Sequence, residues 1–217
     1  MANPRPIVYI VDDEPGVRNS LSSLVRSVGL EARTFAGGAE FLESRRENAP
    51  ECLVVDVRMP GISGLDLQNQ LSQSSFPIPV IFITGHGDIS MAVHAMKLGA
   101  VEFLTKPFHD QDLLGAIYRA IRHSSAVRQQ QAEMAVMRAR FASLTPREAE
   151  VMEGVVQGLL NKQIAFQLGT SEKTVKVHRA RVMHKMRARS LPDLVRMAEC
   201  SALAHHCEHL LCRRLWP

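Results

Sequence analysis

Five short apolar runs alternate with five helix-favouring segments across the first 121 residues, and this alternation leaves few folds open. The strand patterns are Ile7–Val11, Ala32–Phe35, Leu53–Asp56, Val80–Thr84 and Val101–Thr105, rich in β-branched and aromatic residues. Between them, Val17, Leu21, Leu24, Val25 and Val28 recur at helical spacing after Pro15, and Gly29 stops that helix. Helices are likewise predicted over Gly38–Ser44, from Ser63 through Leu65, Leu67 and Leu71, over Ile89–Leu98, and from near Asp110 onward. Successive parallel strands need crossover connections, and helices fill that role. The predicted fold of this part is therefore an α/β, doubly wound, five-stranded parallel sheet, and the strand order taken for it is the flavodoxin-like 2-1-3-4-5.

That order makes strands one and three neighbours at the switch point, where open α/β sheets bind ligands outside the carboxyl ends of the strands. Asp12 and Asp13 follow strand one, Asp56 ends strand three, Thr84 ends strand four and Lys106 follows strand five. Pro60 and Gly61 then turn the chain away from Asp56. Each residue has an ordinary explanation: a turn-capping carboxylate, a packed threonine, a surface lysine. Their joint fall on one rim points instead to a site. Three neighbouring anions repel unless a cation offsets them, and oxygen ligands suit a hard divalent ion, Mg²⁺ being the expected one. The set suits phosphoryl transfer to a carboxylate, with Asp56 as nucleophile. Lys106 would pair with the phosphoryl group and Thr84 would hydrogen-bond it. A rival reading is an aspartyl-phosphate hydrolase of small phosphate esters. It expects a second acid/base Asp two residues after the nucleophile, where this chain has Arg58, and a substrate cap that is not evident.

Charge divides the chain. Residues 1–121 carry 10 Lys/Arg against 14 Asp/Glu, whereas residues 122–217 carry 16 against 8. Two domains with different partners are expected, the basic one a candidate for nucleic acid. From Ser124 to Arg140 the sequence is polar and free of Gly and Pro, with Val127, Met134, Met137 and Phe141 at roughly heptad spacing, so a helical linker is expected. Thr145-Pro146-Arg147-Glu148 combines a capping Thr, Pro at the first position and Glu three after the cap. Val151, Met152, Val155 and Val156 give that helix its apolar face. Asn161 is expected to cap a second helix carrying Ile164, Ala165 and Leu168, and Ser171 a third that runs to about Met186. A fourth helix follows Pro192. Two short helices around a Gly-containing turn predict an all-α, four-helix unit of the helix-turn-helix kind.

On the third helix Lys173, Lys176, Val177 and Ala180 share one face, while Val175, Val182 and Met186 mark another assigned to the core. The first face suits a helix in the major groove, with His178, Arg179, Arg181 and Lys185 flanking it to hold phosphates. The plainer alternative is a solvated basic helix. Four cysteines, three of them after residue 199, make no disulfide framework. With no membrane span and no signal-peptide pattern before the first strand, a cytoplasmic setting is expected. Cys200, His205, His206, Cys207, His209 and Cys212 crowd the C-terminus without the spacing of a closed zinc site.

Residues 7–121 resemble the receiver domain of two-component response regulators. The resemblance is carried by Val11-Asp12-Asp13-Glu14, Val55-Asp56-Val57-Arg58-Met59-Pro60-Gly61, Ile83-Thr84-Gly85 and Leu104-Thr105-Lys106-Pro107-Phe108. Residues 144–198 resemble the LuxR-type helix-turn-helix output domain through Leu144–Glu148, Asn161–Ala165 and Ser171–His178. Together they place the chain in the NarL/FixJ family, and Thr84–Asp88 with Met91–Val93 and Ala95–Lys97 looks most like its FixJ branch. The expected division is a receiver over 1–121, a helical linker over 122–142, a DNA-binding domain over 143–199 and a tail over 200–217. The resemblance implies that Asp56 is the phosphoacceptor. It further implies that Asp12, Asp13, Asp56 and the backbone carbonyl of Arg58 hold Mg²⁺, and that Lys106-Pro107 is cis. Phe103 matches the switch aromatic that moves as Thr84 is drawn to the phosphoryl group; Phe rather than Tyr there removes a hydroxyl. Lys176 and Val177 match base-reading positions, and the implied DNA-facing set is Lys173, Thr174, Lys176, Val177, His178, Arg179, Ala180, Arg181 and Lys185. Implied partners are a sensor histidine kinase, double-stranded promoter DNA, a second copy on phosphorylation, and RNA polymerase. No enzymatic activity is implied beyond the receiver's own phosphorylation and dephosphorylation. Dimerisation and unmasking of the output helix both remain open as the switch, and a constitutive DNA-binding protein with an inert receiver is the third reading.

Overall fold

Strand-forming and helix-forming segments follow one another as the apolar spacing dictates. In the computed structural model, residues 5–44, 47–72, 78–85 and 89–207 are described, with side chains as far as Glu199. The order is β1 Ile7–Val11, α1 Pro15–Ser27, β2 Glu31–Phe35, α2 Gly38–Glu43, β3 Glu51–Asp56, α3 Gly64–Ser72, β4 Val80–Thr84, α4 Ile89–Lys97, β5 Glu102–Thr105 and α5 Asp110–Ala142. Four helices follow: α6 Pro146–Val156, α7 Asn161–Gln167, α8 Glu172–Met186 and α9 Leu191–Cys207. The chain divides into two compact units, 1–129 and 130–217, with the boundary inside α5.

The first unit is a parallel sheet in the order β2-β1-β3-β4-β5. Val11 pairs with Val55, Asp56 with Ile83, and Thr84 with Thr105, so the carboxyl ends of β1, β3, β4 and β5 share one edge. All residues of β1, β3 and β4 are buried, because helices cover both faces. The period-2 pleat sorts them. Tyr9, Val11, Leu53, Val55 and Phe82 face Phe41 of α2, Leu67 and Leu71 of α3 and Ala95 of α4. Val8, Ile10, Val54, Ile81 and Ile83 face Leu21 and Val25 of α1 and Leu113 and Ile117 of α5. Each such side chain contributes about 1.5–3 kcal/mol by leaving water.

β3 starts two residues earlier than its apolar run, at Glu51. Glu51 is buried because Arg128 of α5 donates to its Oε1 at 2.8 Å and also reaches Asn48 Oδ1 at 2.7 Å. The Oγ of Ser124, also on α5, accepts from the Glu51 N–H at 3.1 Å. Ser124 and Arg128 thus belong to the first unit, fastened to the amino end of the strand that carries Asp56.

The second unit packs Val151, Met152, Val155, Ile164, Ala165, Val175, Val182, Met186 and Leu194 into one core, with Met137 and Phe141 of α5 against it. The capping box is formed: Thr145 Oγ1 accepts from the Glu148 N–H, and Glu148 Oε2 accepts from the Thr145 N–H at 2.9 Å. Ser171 caps α8 by accepting from the Thr174 N–H at 3.2 Å. Asn161 does not cap α7. It is the first helical residue, and Gln163 reaches back to the Leu160 N–H at 2.7 Å instead. The Asn161 amide oxygen is thereby free to accept from Arg179 at 3.1 Å.

Candidate functional site

At the carboxyl edge of the first unit's sheet, the ammonium of Lys106 lies 2.8 Å from Asp12 Oδ2 and 3.0 Å from Asp56 Oδ1. Both carboxylates are buried, and the remaining oxygen of each is held by backbone. Glu14 N–H donates to Asp12 Oδ1 and Arg58 N–H to Asp56 Oδ2, each at 2.8 Å. Arg18 additionally donates to the Asp12 carbonyl. Burial works to lower the Lys106 pKa, but the hydrogen bonds to Asp12 and Asp56 outweigh it and hold the amine above its ordinary value. The amine is therefore charged at neutral pH, and two carboxylates share it. Thr84, 1% exposed, ends the adjacent strand, and its carbonyl accepts the Lys106 N–H at 2.7 Å. The Lys106-Pro107 peptide is cis.

Asp13 stands exposed beside this cluster, so the three acids are neighbours in sequence and topology but do not converge equally. Among the described residues no three Asp, Glu, His or Cys side chains gather closely enough to hold a metal as they stand. The donor chemistry still fits a hard cation: two buried carboxylates, a third at the rim and the Arg58 backbone supply oxygen only. Arg58 itself is exposed. Phe103 is half-buried, its ring 6.3 Å from that of Phe82. His86, Gly87 and Asp88 of the loop after β4 lie outside the described residues.

Sequence reasoning passed over Gly64. A Cβ built there would sit 2.4 Å from the Asp56 carbonyl oxygen and 3.1 Å from the Phe82 ring. The backbone of α3 therefore approaches the end of β3 as only glycine permits. The one signal was a Gly directly behind the helix-starting Ser63.

In the second unit α8 exposes Lys173, Thr174, Lys176, Val177, Ala180 and Arg181 and buries Val175, Val182 and Met186. Three other residues of the predicted DNA-facing set are half-buried. His178 turns partly inward, and Arg179 is engaged by Asn161. Lys185 is committed elsewhere: its ammonium lies 2.6 Å from Glu148 Oε2 and 2.9 Å from the Ser143 carbonyl. Lys185, with the Thr145 backbone, holds the buried Glu148 carboxyl down at about 2. Spacing alone could not separate Lys185 from its solvated neighbours, because its partner lies 37 residues away.

Comparison with known proteins decides the family. Residues 8–118 match the response regulator receiver domain, and residues 142–198 match the luxR family of bacterial regulatory proteins. The chain is a two-component response regulator. It is 50% identical over 208 residues to nodulation protein W of Bradyrhizobium diazoefficiens, spanning 95% of this chain and 92% of that protein. It is 44% identical to the transcriptional regulatory protein FixJ of the same organism, over 88% of this chain and 93% of that one. The structure of the response regulator StyR superposes with a TM-score of 0.86 at 48% identity, covering 91% of this chain and all of StyR. This response regulator is thus of the FixJ/NarL-like type, with a receiver fold followed by a helical domain bearing a LuxR-type helix-turn-helix. No helix among the described residues is long and apolar enough to cross a membrane. The side chains of Cys200, His205, His206, Cys207, His209 and Cys212 lie beyond the described residues.

Proposed function

We propose that Asp56 is the phosphoacceptor and that its phosphorylation by a sensor histidine kinase controls DNA binding by α8. The observation that carries this reading is the Lys106 ammonium held between Asp12 and Asp56 at the carboxyl edge of the sheet. An Asp56 carboxylate oxygen attacks the phosphorus of a phosphohistidine; the P–N bond breaks and an aspartyl phosphate forms. Lys106 moves with the negative charge as it grows on the phosphoryl oxygens, and the Thr84 hydroxyl hydrogen-bonds one of them. Mg²⁺ would be held by Asp12, Asp13, Asp56 and the Arg58 carbonyl, and would neutralise phosphoryl charge. Beyond this self-modification and its reversal the chain carries out no catalysis.

Drawing Thr84 toward the phosphoryl group empties space toward which Phe103 turns, and the surface of α4 and β5 changes. Ile89, Val93 and Met96 give α4 an exposed apolar stripe at helical spacing, which supports pairing of two phosphorylated copies through that face. A dimer presents two α8 helices to paired half-sites of promoter DNA, with Lys176 and Val177 at base edges and Lys173, Thr174, Arg179 and Arg181 on the backbone. RNA polymerase is the expected onward partner, and the cytoplasm the expected compartment. The functional division is a receiver over 1–121, a helical linker over 122–142, the DNA-binding domain over 143–199 and a tail over 200–217.

The test is selection of DNA by wild type and Asp56→Asn, each with and without acetyl phosphate. Wild type should take up phosphate, dimerise and bind promoter DNA more tightly, and Asp56→Asn should do none of these. DNA binding by Asp56→Asn that still rises with the phosphodonor would overturn the proposal.

A further inference from the structure

The second unit contains a cavity of about 410 Å³. Its floor is apolar: Phe141 at the end of α5, Met152 and Val156 on α6, and Ala198 on α9. Two exposed carboxylates, Glu153 and Glu199, stand at its rim. Nothing in the proposed phosphorylation or DNA contacts uses this cavity, and α8 does not line it.

Eighteen residues follow Glu199, itself part of the wall. The last ten read Glu208-His209-Leu210-Leu211-Cys212-Arg213-Arg214-Leu215-Trp216-Pro217. They pair two arginines with three leucines and the chain's single tryptophan. Apolar bulk beside two cations complements an apolar floor beside two anions. Arginine suits this better than lysine, because its planar fork meets a carboxylate with two hydrogen bonds. Reach is no obstacle. From Ala198 to Cys207, α9 rises about 13 Å at 1.5 Å per residue. The nine residues from Cys207 to Trp216 span up to about 30 Å when extended.

We propose that the chain's own C-terminal segment, residues 208–217, docks into this cavity. Leu215 and Trp216 lie on the floor of Phe141, Met152, Val156 and Ala198, and Arg213 and Arg214 pair with Glu153 and Glu199. The tail then forms an added layer over the α6–α9 face of the DNA-binding unit and leaves α8 open. Removing it uncovers an apolar surface in the basic half of the chain.

Because Trp216 is the only tryptophan, its fluorescence reads the docking directly in the full-length protein. The expected result is emission blue-shifted against the same protein in denaturant, with several-fold protection from acrylamide quenching. Reversing the rim with Glu153→Arg and Glu199→Arg, both exposed sites that leave the core intact, should shift the emission to the red. Adding Arg213→Glu and Arg214→Glu to that variant should restore the blue emission, while circular dichroism stays unchanged throughout. Emission at the denatured wavelength in the native wild type overturns the proposal, as does blue emission indifferent to both pairs of substitutions. A blue shift lost on dilution, in step with dimer dissociation, assigns the cavity to a second copy's tail and overturns docking within one chain.

Discussion

Replacing Arg128 by Ala should loosen the amino end of β3 far more than an ordinary surface change. The guanidinium is one-fifth exposed, and the Glu51 side chain it pairs with is only 3% exposed. Removing one partner of a buried ion pair costs about 3–5 kcal/mol where the remaining charge has no other compensation in low dielectric. Glu51 keeps further contacts, and the solvent access of Arg128 lets water reach part of the site, so the lower end applies, about 3 kcal/mol. In a unit of this size 1 kcal/mol moves the melting point by about 4 °C, so a drop of roughly 12 °C is expected in the receiver transition. Calorimetry of the full chain reads that transition beside the one of the DNA-binding unit, which should not move. Arg128→Met with Glu51→Leu removes both charges and should recover most of the loss, because an apolar pair of similar volume replaces the ion pair at little cost. A fall of less than about 3 °C for Arg128→Ala, or no recovery in the double variant, refutes the assignment of Glu51 burial to Arg128.

Gly64→Ala should cost about 1–3 kcal/mol, since its Cβ would meet the Asp56 carbonyl oxygen at 2.4 Å and neither backbone can yield freely. Phosphate uptake from acetyl phosphate, measured with the melting point, should fall with it; unchanged uptake would show that Asp56 does not depend on that contact. Lys106 has its pKa raised in the fold, so its contribution to stability is complete below about pH 10.5 and is lost as pH rises through the folded value. Denaturant titrations should show that alkaline decline in wild type and not in Lys106→Met. Glu148 has the opposite sign: held at about 2 in the fold, it stabilises fully above about pH 4.5 and loses that contribution between there and pH 2. Lys185→Met should flatten the acid limb for the second unit's transition, and an acid limb identical to wild type would separate Glu148 from Lys185.

How much could be read from the residues alone differs from site to site. Val54, Ile81 and Ile83 announce buried strands because nothing polar interrupts them, and the pleat then assigns each a face. Thr145-Pro146-Arg147-Glu148 announces its helix start because capping acts over three residues. Local pattern starts β3 at Leu53 and leaves Glu51 outside it, because a charge reads as exposed until its partner is known and Arg128 lies 77 residues away. Asn161 was expected as a cap by residue type, and Arg179 and Gln163 together decided otherwise. Lys185 has the same local sequence character as its basic neighbours, and only the fold sets Glu148 against it.

Local pattern determined the alternation of strands and helices, the strand-end positions of Asp12, Asp56, Thr84 and Lys106 in the sequence, and the helix-turn-helix, because periodicity and capping are short-range physics. Only the tertiary structure decided which charges are paired, that Asp12 and Asp56 share one amine while Asp13 stands apart, and that Gly64 must lack a side chain. Those facts depend on the distances between segments far apart in the chain, and no local window contains them.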